Sequence, residues 1–146
     1  MNRNTYKLIQ KSIMNKRVND HPNIPVHTIP IFRPAENSAN ALTQTIIKFL
    51  KAEGWQAERI SNTGRFIADK FKRGGGTWIP GTGTPGTADI SATIKGKSVK
   101  IEVKFKGDKQ SPEQVKYQKS IEAAGGVYII ARNLDDFYVE YQKLIS

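Results

Sequence analysis

Apolar positions along the chain change their period several times, and each change marks an element. Tyr6, Ile9 and Ile13, with Leu8 beside them, recur at near-helical spacing in residues 5–18. That stretch reads either as a basic amphipathic arm or as a helix packed on the body. Residues 20–34 hold Pro22, Pro25, Pro30 and Pro34, so an extended connector is expected. A helix is predicted from about Ala35 to Glu53. Leu42, Ile46, Phe49 and Leu50 supply its buried stripe, and Ala39 extends it. Pro34 favours its start, and Gly54 suits the position just past its end. Trp55 to Ile60 reads as a strand, and residues 62–73 stay open between strand and loop. Residues 73–86, RGGGTWIPGTGTPG, are too rich in glycine for a regular element. They lack the GK[ST] of a phosphate-binding Walker loop.

Two β-branched runs follow, Ile90 to Ile94 and Val99 to Phe105, separated by Lys95-Gly96-Lys97. This is a hairpin pattern with a glycine available for positive φ. A Lys95-Gly96 turn sets Asp89 opposite Glu102; a Gly96-Lys97 turn sets Asp89 opposite Lys104. Both registers place Asp89, Glu102 and Lys104 on one sheet face, with Ile101 and Val103 turned into a core. Ser111, Pro112 and Gln114 form a helix start, and the helix is expected to end at Gly125-Gly126. Val127 to Ala131 is a short apolar strand, expected to be buried on both faces. The intervening helix makes it parallel to the strand carrying Glu102. Asn133 is placed to cap a last helix from about Leu134 to Ile145, with Asp135 and Asp136 in its first turn. The predicted order αβββαβα is an α/β sandwich with a central mixed sheet flanked by helices.

Chemistry concentrates on the hairpin. Two carboxylates on directly opposed strand positions lie roughly 4.5–5.5 Å apart at Cβ, close enough to share a cation. Mg²⁺ takes one or two carboxylates and completes its shell with water and phosphate oxygens. A lysine on the same face can orient a water or offset transition-state charge. The bland alternative is a solvated sheet face with a surface ion pair. The glycine-rich loop before Asp89 and the helix start after Lys104 argue for a site.

Composition narrows the partner. Lysine and arginine number 23 against 13 acids, a net charge of +10. That excess favours a polyanionic partner, chiefly DNA or RNA. Basic residues cluster at Lys7–Arg17, Arg65–Arg73, Lys95–Lys109 and Lys116–Lys119. Arg65, Lys72, Arg73, Lys106 and Lys109 are the candidate nucleic-acid contacts. Trp78 either stacks on a base at the mouth of the site or belongs to a plain connector. The chain of 146 residues is expected to hold one folded domain, at 35–146, preceded by the basic arm and proline-rich linker of 1–34. There are no cysteines, in keeping with a reducing cytoplasm. His21 and His27 lack metal-ligand spacing. Neither a membrane span nor a secretory signal is expected from the apolar runs.

Taken in order, Gly86-Thr87-Ala88-Asp89, Ile101-Glu102-Val103-Lys104, Ser111-Pro112-Glu113-Gln114 and Ala124-Gly125-Gly126-Val127-Tyr128 resemble the core of the PD-(D/E)XK nucleases. The last two segments are similar to the virus-type replication-repair (VRR-NUC) branch. The resemblance covers roughly Glu36 to Phe137. Ala88 departs from the proline that many members carry before the aspartate, a position that shapes backbone and holds no metal. The resemblance implies a restriction-endonuclease-like core and Mg²⁺- or Mn²⁺-dependent phosphodiester hydrolysis. It further implies metal binding by Asp89, Glu102 and the main-chain carbonyl of Val103, a water-positioning role for Lys104, and Gln114 reaching into the site. Glu36, expected in the first turn of the first core helix, matches the family's additional acid, which the resemblance implies would complete the metal shell. Capping alone would also account for Gln114, and helix-dipole stabilisation for Glu36. The expected activity is a DNA endonuclease selective for junctions, flaps or nicks, working as a homodimer in replication, repair or recombination of a bacterium or phage-infected cell. A non-cutting nucleic-acid-binding module and an RNA-directed nuclease are the alternatives.

Overall fold

The computed structural model describes residues 2–61, 65–69, 71, 74–79, 81 and 83–146, with Arg65 described by its backbone alone. Its elements are α1 (Arg3–Asp20), a 3-10 turn (Val26–Thr28), α2 (Ala39–Ala52), β1 (Gln56–Arg59), β2 (Arg65–Ala68), β3 (Gly76–Ile79), β4 (Ile90–Ile94), β5 (Lys97–Val103), α3 (Pro112–Ala123), β6 (Val127–Ala131) and α4 (Leu134–Ile145). Four strands form a mixed sheet in the order β1-β4-β5-β6, and β2 and β3 form a separate two-stranded sheet. β1 and β4 pair antiparallel, as do β4 and β5, and β6 returns parallel to β5 after α3. Without the β2–β3 pair, the sequence from α2 onward is αβββαβα, as the apolar pattern predicts.

Strand alternation sorts the two sheet faces. Ile90, Ala92 and Ile94 of β4 join Val99, Ile101 and Val103 of β5 in the core, with Ile129 and Ala131 of β6. Leu42, Ile46, Phe49 and Leu50 of α2 and Leu134, Phe137 and Tyr141 of α4 cover that face. The rings of Phe49 and Tyr141 meet edge-on at 5.0 Å, a favoured aromatic geometry. Ile9 and Ile13 of α1 enter the same cluster, while Leu8 stays exposed. So α1 packs on the body. The opposite face carries Glu102, Lys104 and Tyr128, and α3 approaches it through Tyr117 against Tyr128.

Three expectations are corrected. α2 begins at Ala39, not Ala35, because the Ser38 hydroxyl accepts from Ala41 N at 3.1 Å and caps the first turn. Ala39 is consequently exposed, and Glu36 lies before the helix. Part of the glycine-rich run is a strand. Thr77, Trp78 and Ile79 favour extended backbone, and Phe66 pairs with Trp78 across β2 and β3. β6 is only partly buried on the face shared with Tyr128.

Candidate active site

The hairpin turn fixes the site. Lys95 and Gly96 sit at φ 48° and 75°, both positive, as a two-residue type I′ connection requires. Ile94 therefore pairs with Lys97 and Ile90 with Ile101. One step further along that register sets Asp89 opposite Glu102. The Lys95-Gly96 alternative is the one adopted. Asp89 lies just before β4 and is pinned at both ends. Its carbonyl accepts from Ile60 N at 2.8 Å, and its Oδ2 accepts from Val103 N at 2.9 Å. Among the described residues, Oδ1 has no hydrogen-bond donor.

Glu102 is only 2% exposed, although it is a carboxylate. Its Oε1 accepts from Gln114 Nε2 at 2.5 Å and lies 3.0 Å from Lys104 Nζ. Lys104 Nζ also donates to Gln114 Oε1 at 2.7 Å. Glu102, Lys104 and Gln114 thus close a triangle. Among the described residues, Glu102 Oε2 is buried without a hydrogen-bond partner. Burial raises the Glu102 carboxyl above its usual range; the Lys104 hydrogen bond pulls it down, and the charge of Asp89 pushes it up again. The Tyr128 hydroxyl adds a weaker downward pull from the same face without reaching full hydrogen-bonding geometry. A buried carboxylate oxygen without a donor, near a second acid, is costly, and a cation at the site would offset that cost.

Gln114 owes its position to the start of α3. Its Oε1 accepts from Ser111 N at 2.9 Å, and its N–H donates to the Ser111 hydroxyl at 3.3 Å. This is a capping box with Pro112 in the first turn. Capping and site contacts are made by the same amide. Gly86 brings the preceding loop against that helix start. It adopts φ 78°, and a Cβ there would stand 2.5 Å from Glu113 O and 2.6 Å from Gln114 N. The loop and the helix border a cleft of about 490 Å³ lined by Gly81, Gly86, Thr87, Ser111, Glu113 and Gln114.

Glu36 is not gathered into this group. Its Oε2 accepts from Leu134 N at 2.7 Å, at the start of α4. Among the described residues, no three His, Cys, Asp or Glu side chains are grouped to hold a metal ion. The acids of the site are the pair Asp89 and Glu102. Asp135 and Asp136 sit in the first turn of α4, where the Asn133 side chain accepts from Asp136 N at 2.8 Å. Val103 contributes its N–H to Asp89. Lys106 and Lys109 are exposed beyond β5, with Lys106 Nζ 5.2 Å from the centre of the Phe105 ring. Trp78 is exposed on β3. Lys72, Arg73 and the side chain of Arg65 lie outside the described residues.

Sequence reasoning passed over Tyr128. Among the described residues its buried hydroxyl has no hydrogen-bond partner, and its pKa is raised by burial first and then by the Glu102 charge. The available signal was the parallel register: Lys100 pairs with Tyr128, so Tyr128 shares the face of Glu102. No protein-family model matches the chain, and no curated protein matches it.

Proposed function

We propose that the chain is a divalent-metal-dependent DNA endonuclease of the PD-(D/E)XK type, built on a restriction-endonuclease-like core. The observation that carries this reading is the buried, unpartnered Oε2 of Glu102, on a side chain held by Lys104 and Gln114 and set opposite Asp89. The donor set fits a hard cation, since two carboxylates leave room for water and phosphate oxygens. When bound, Mg²⁺ or Mn²⁺ would be held by Asp89, Glu102 and the Val103 carbonyl, and would supply phosphoryl polarisation and an acidified water. Lys104 would orient the attacking water and offset charge developing on the phosphate. Gln114 fixes the Lys104 ammonium and the Glu102 carboxylate relative to one another. Val103 N holds Asp89 Oδ2, leaving Oδ1 as the oxygen available for binding.

Net charge of +10 supports a nucleic-acid substrate held mainly through phosphate, which sets affinity without sequence information. Branched, flapped or nicked DNA is the substrate class, and a homodimer would give two sites for it. Cleavage in the cytoplasm of a host cell follows from the same reading.

The test is a cleavage assay on branched, nicked, duplex and single-stranded DNA with Mg²⁺, Mn²⁺ or chelator. Wild type is expected to cut with either metal, and Asp89→Ala to lose at least two orders of magnitude in rate. Cutting that persists in chelator or in Asp89→Ala overturns the site. Binding without cutting by wild type replaces the enzyme with a binding module.

A further inference from the structure

The β2–β3 hairpin exposes more apolar surface than a free two-stranded ribbon tolerates. Phe66 is 58% and Trp78 60% exposed, and Phe71 in the connection between the strands is 95% exposed. β2 and β3 pack chiefly on each other. An isolated two-stranded hairpin is marginally stable in water unless something covers a face. The register makes one face aromatic. Phe66 and Trp78 are directly paired, so both side chains project on the same side. Gly76 shares that side, and a Cβ on it would overlap the Phe66 ring at 2.1 Å. The glycine lets the Phe66 ring lie down along the hairpin over Gly76. The result is an exposed aromatic platform.

Charge and position say what would occupy it. By sequence, Arg65 to Arg73 carries four basic residues, Arg65, Lys70, Lys72 and Arg73, against Asp69 alone. A polyanion with flat apolar faces matches both features. Continuity matters too. From Ile79 the chain runs on through Gly81 and Gly86, which line the cleft, to Asp89. We infer that the Phe66–Trp78 face of the β2–β3 hairpin stacks an unpaired nucleotide of the DNA substrate and so selects strands with unpaired bases. Bases within a duplex have their faces covered by neighbours, whereas unpaired bases offer a free face to an aromatic ring. The inference rests on the nuclease reading and deepens it, naming the part of a flap or gap that the protein grips.

Binding separates it from catalysis. Fluorescence anisotropy in chelator would compare labelled single-stranded, flapped and fully paired DNA for wild type, Trp78→Ala, Trp78→Phe and Phe66→Ala. Loss of one stacked base is expected to weaken single-strand and flap binding by roughly 5- to 150-fold. Trp78→Phe should recover most of that loss, and duplex affinity should change far less. Thermal unfolding of each variant shows that the fold survives. Equal loss on duplex and single strand, or no loss on either, overturns the inference. So does a dimer that Trp78→Ala dissociates, because the hairpin would then be a protein interface. If these tests fail while Asp89→Ala still abolishes metal-dependent cutting, the nuclease reading stands alone. If wild type neither binds nor cuts DNA, both fall.

Discussion

Gln114 shows how one side chain can serve helix and site together. Its Oε1 takes hydrogen bonds from Ser111 N and Lys104 Nζ, while its Nε2 reaches Glu102. From sequence, capping and site roles were competing explanations; three-dimensionally they are one arrangement, because an amide oxygen has two lone pairs. Ser111→Ala removes the hydroxyl half of the box and should cost about 1 kcal/mol of stability. Gln114→Ala should cost a similar amount and also free Lys104 and Glu102, slowing cleavage by about 10- to 100-fold, as loss of a group that orients metal ligands does. Urea denaturation and single-turnover cleavage of both variants check this. Equal cleavage rates in the two variants would reduce Gln114 to a cap. Asp89, Glu102 and Lys104 were legible because strand alternation with period two leaves them no other face. Tyr128 was not, since an aromatic in a short apolar strand reads first as core.

At the scale of elements, the hairpin and the starts of α3 and α4 follow from local chemistry. Gly96 gives the turn its positive φ, Ser111 and Asn133 cap α3 and α4, and each was readable in sequence. The start of α2 was misplaced because Pro34 and Ser38 both signal a helix beginning, and the Ser38 hydroxyl bond decides between them. β3 was missed because glycine content outweighed the Thr77–Ile79 strand signal. Gly86 carries a further constraint, invisible in sequence: close approach to the backbone of Glu113 and Gln114. Gly96 makes the natural control, with a similar φ of 75° and nothing within 4 Å of its Cβ position. Gly96→Ala should cost only the backbone strain, about 1 kcal/mol. Gly86→Ala adds the clash with α3 and should cost about 2–4 kcal/mol, within the range for overpacking plus backbone strain. It should also slow cleavage by displacing Gln114. Thermal unfolding beside cleavage rates measures both effects; a Gly86→Ala variant no worse than Gly96→Ala would show that the loop simply moves aside.

For the molecule as a whole, the open question from sequence was whether the basic N-terminal stretch is an arm or part of the body. Its charges, Lys7, Lys11, Lys16 and Arg17, suit an arm, and the apolar stripe beneath them is narrow. Width of the stripe is a poor guide when the helix packs by its edge between two others. Here α1 meets both α2 and α4, and Ile9 and Ile13 are 0% and 4% exposed within the common core. α4 is distant from α1 along the chain and α2 lies beyond the proline-rich connector, so no local pattern reports the packing. The consequence is that the apolar positions of α1 govern folding while Lys7 and Lys11 stay exposed on its outer side; Lys16 pairs with Asp20. Ile9→Ala and Ile13→Ala should each cost about 2–5 kcal/mol, as large-to-small changes in a packed core do. Their denaturation midpoints should fall with no change in the salt dependence of DNA binding by the folded fraction. Lys7→Glu with Lys11→Glu should leave the midpoint nearly unchanged and flatten that salt dependence, since each phosphate no longer neutralised takes about 0.9 off the slope in log salt. If instead the isoleucine variants unfold at the wild-type midpoint, α1 contributes nothing to the core and the arm reading returns.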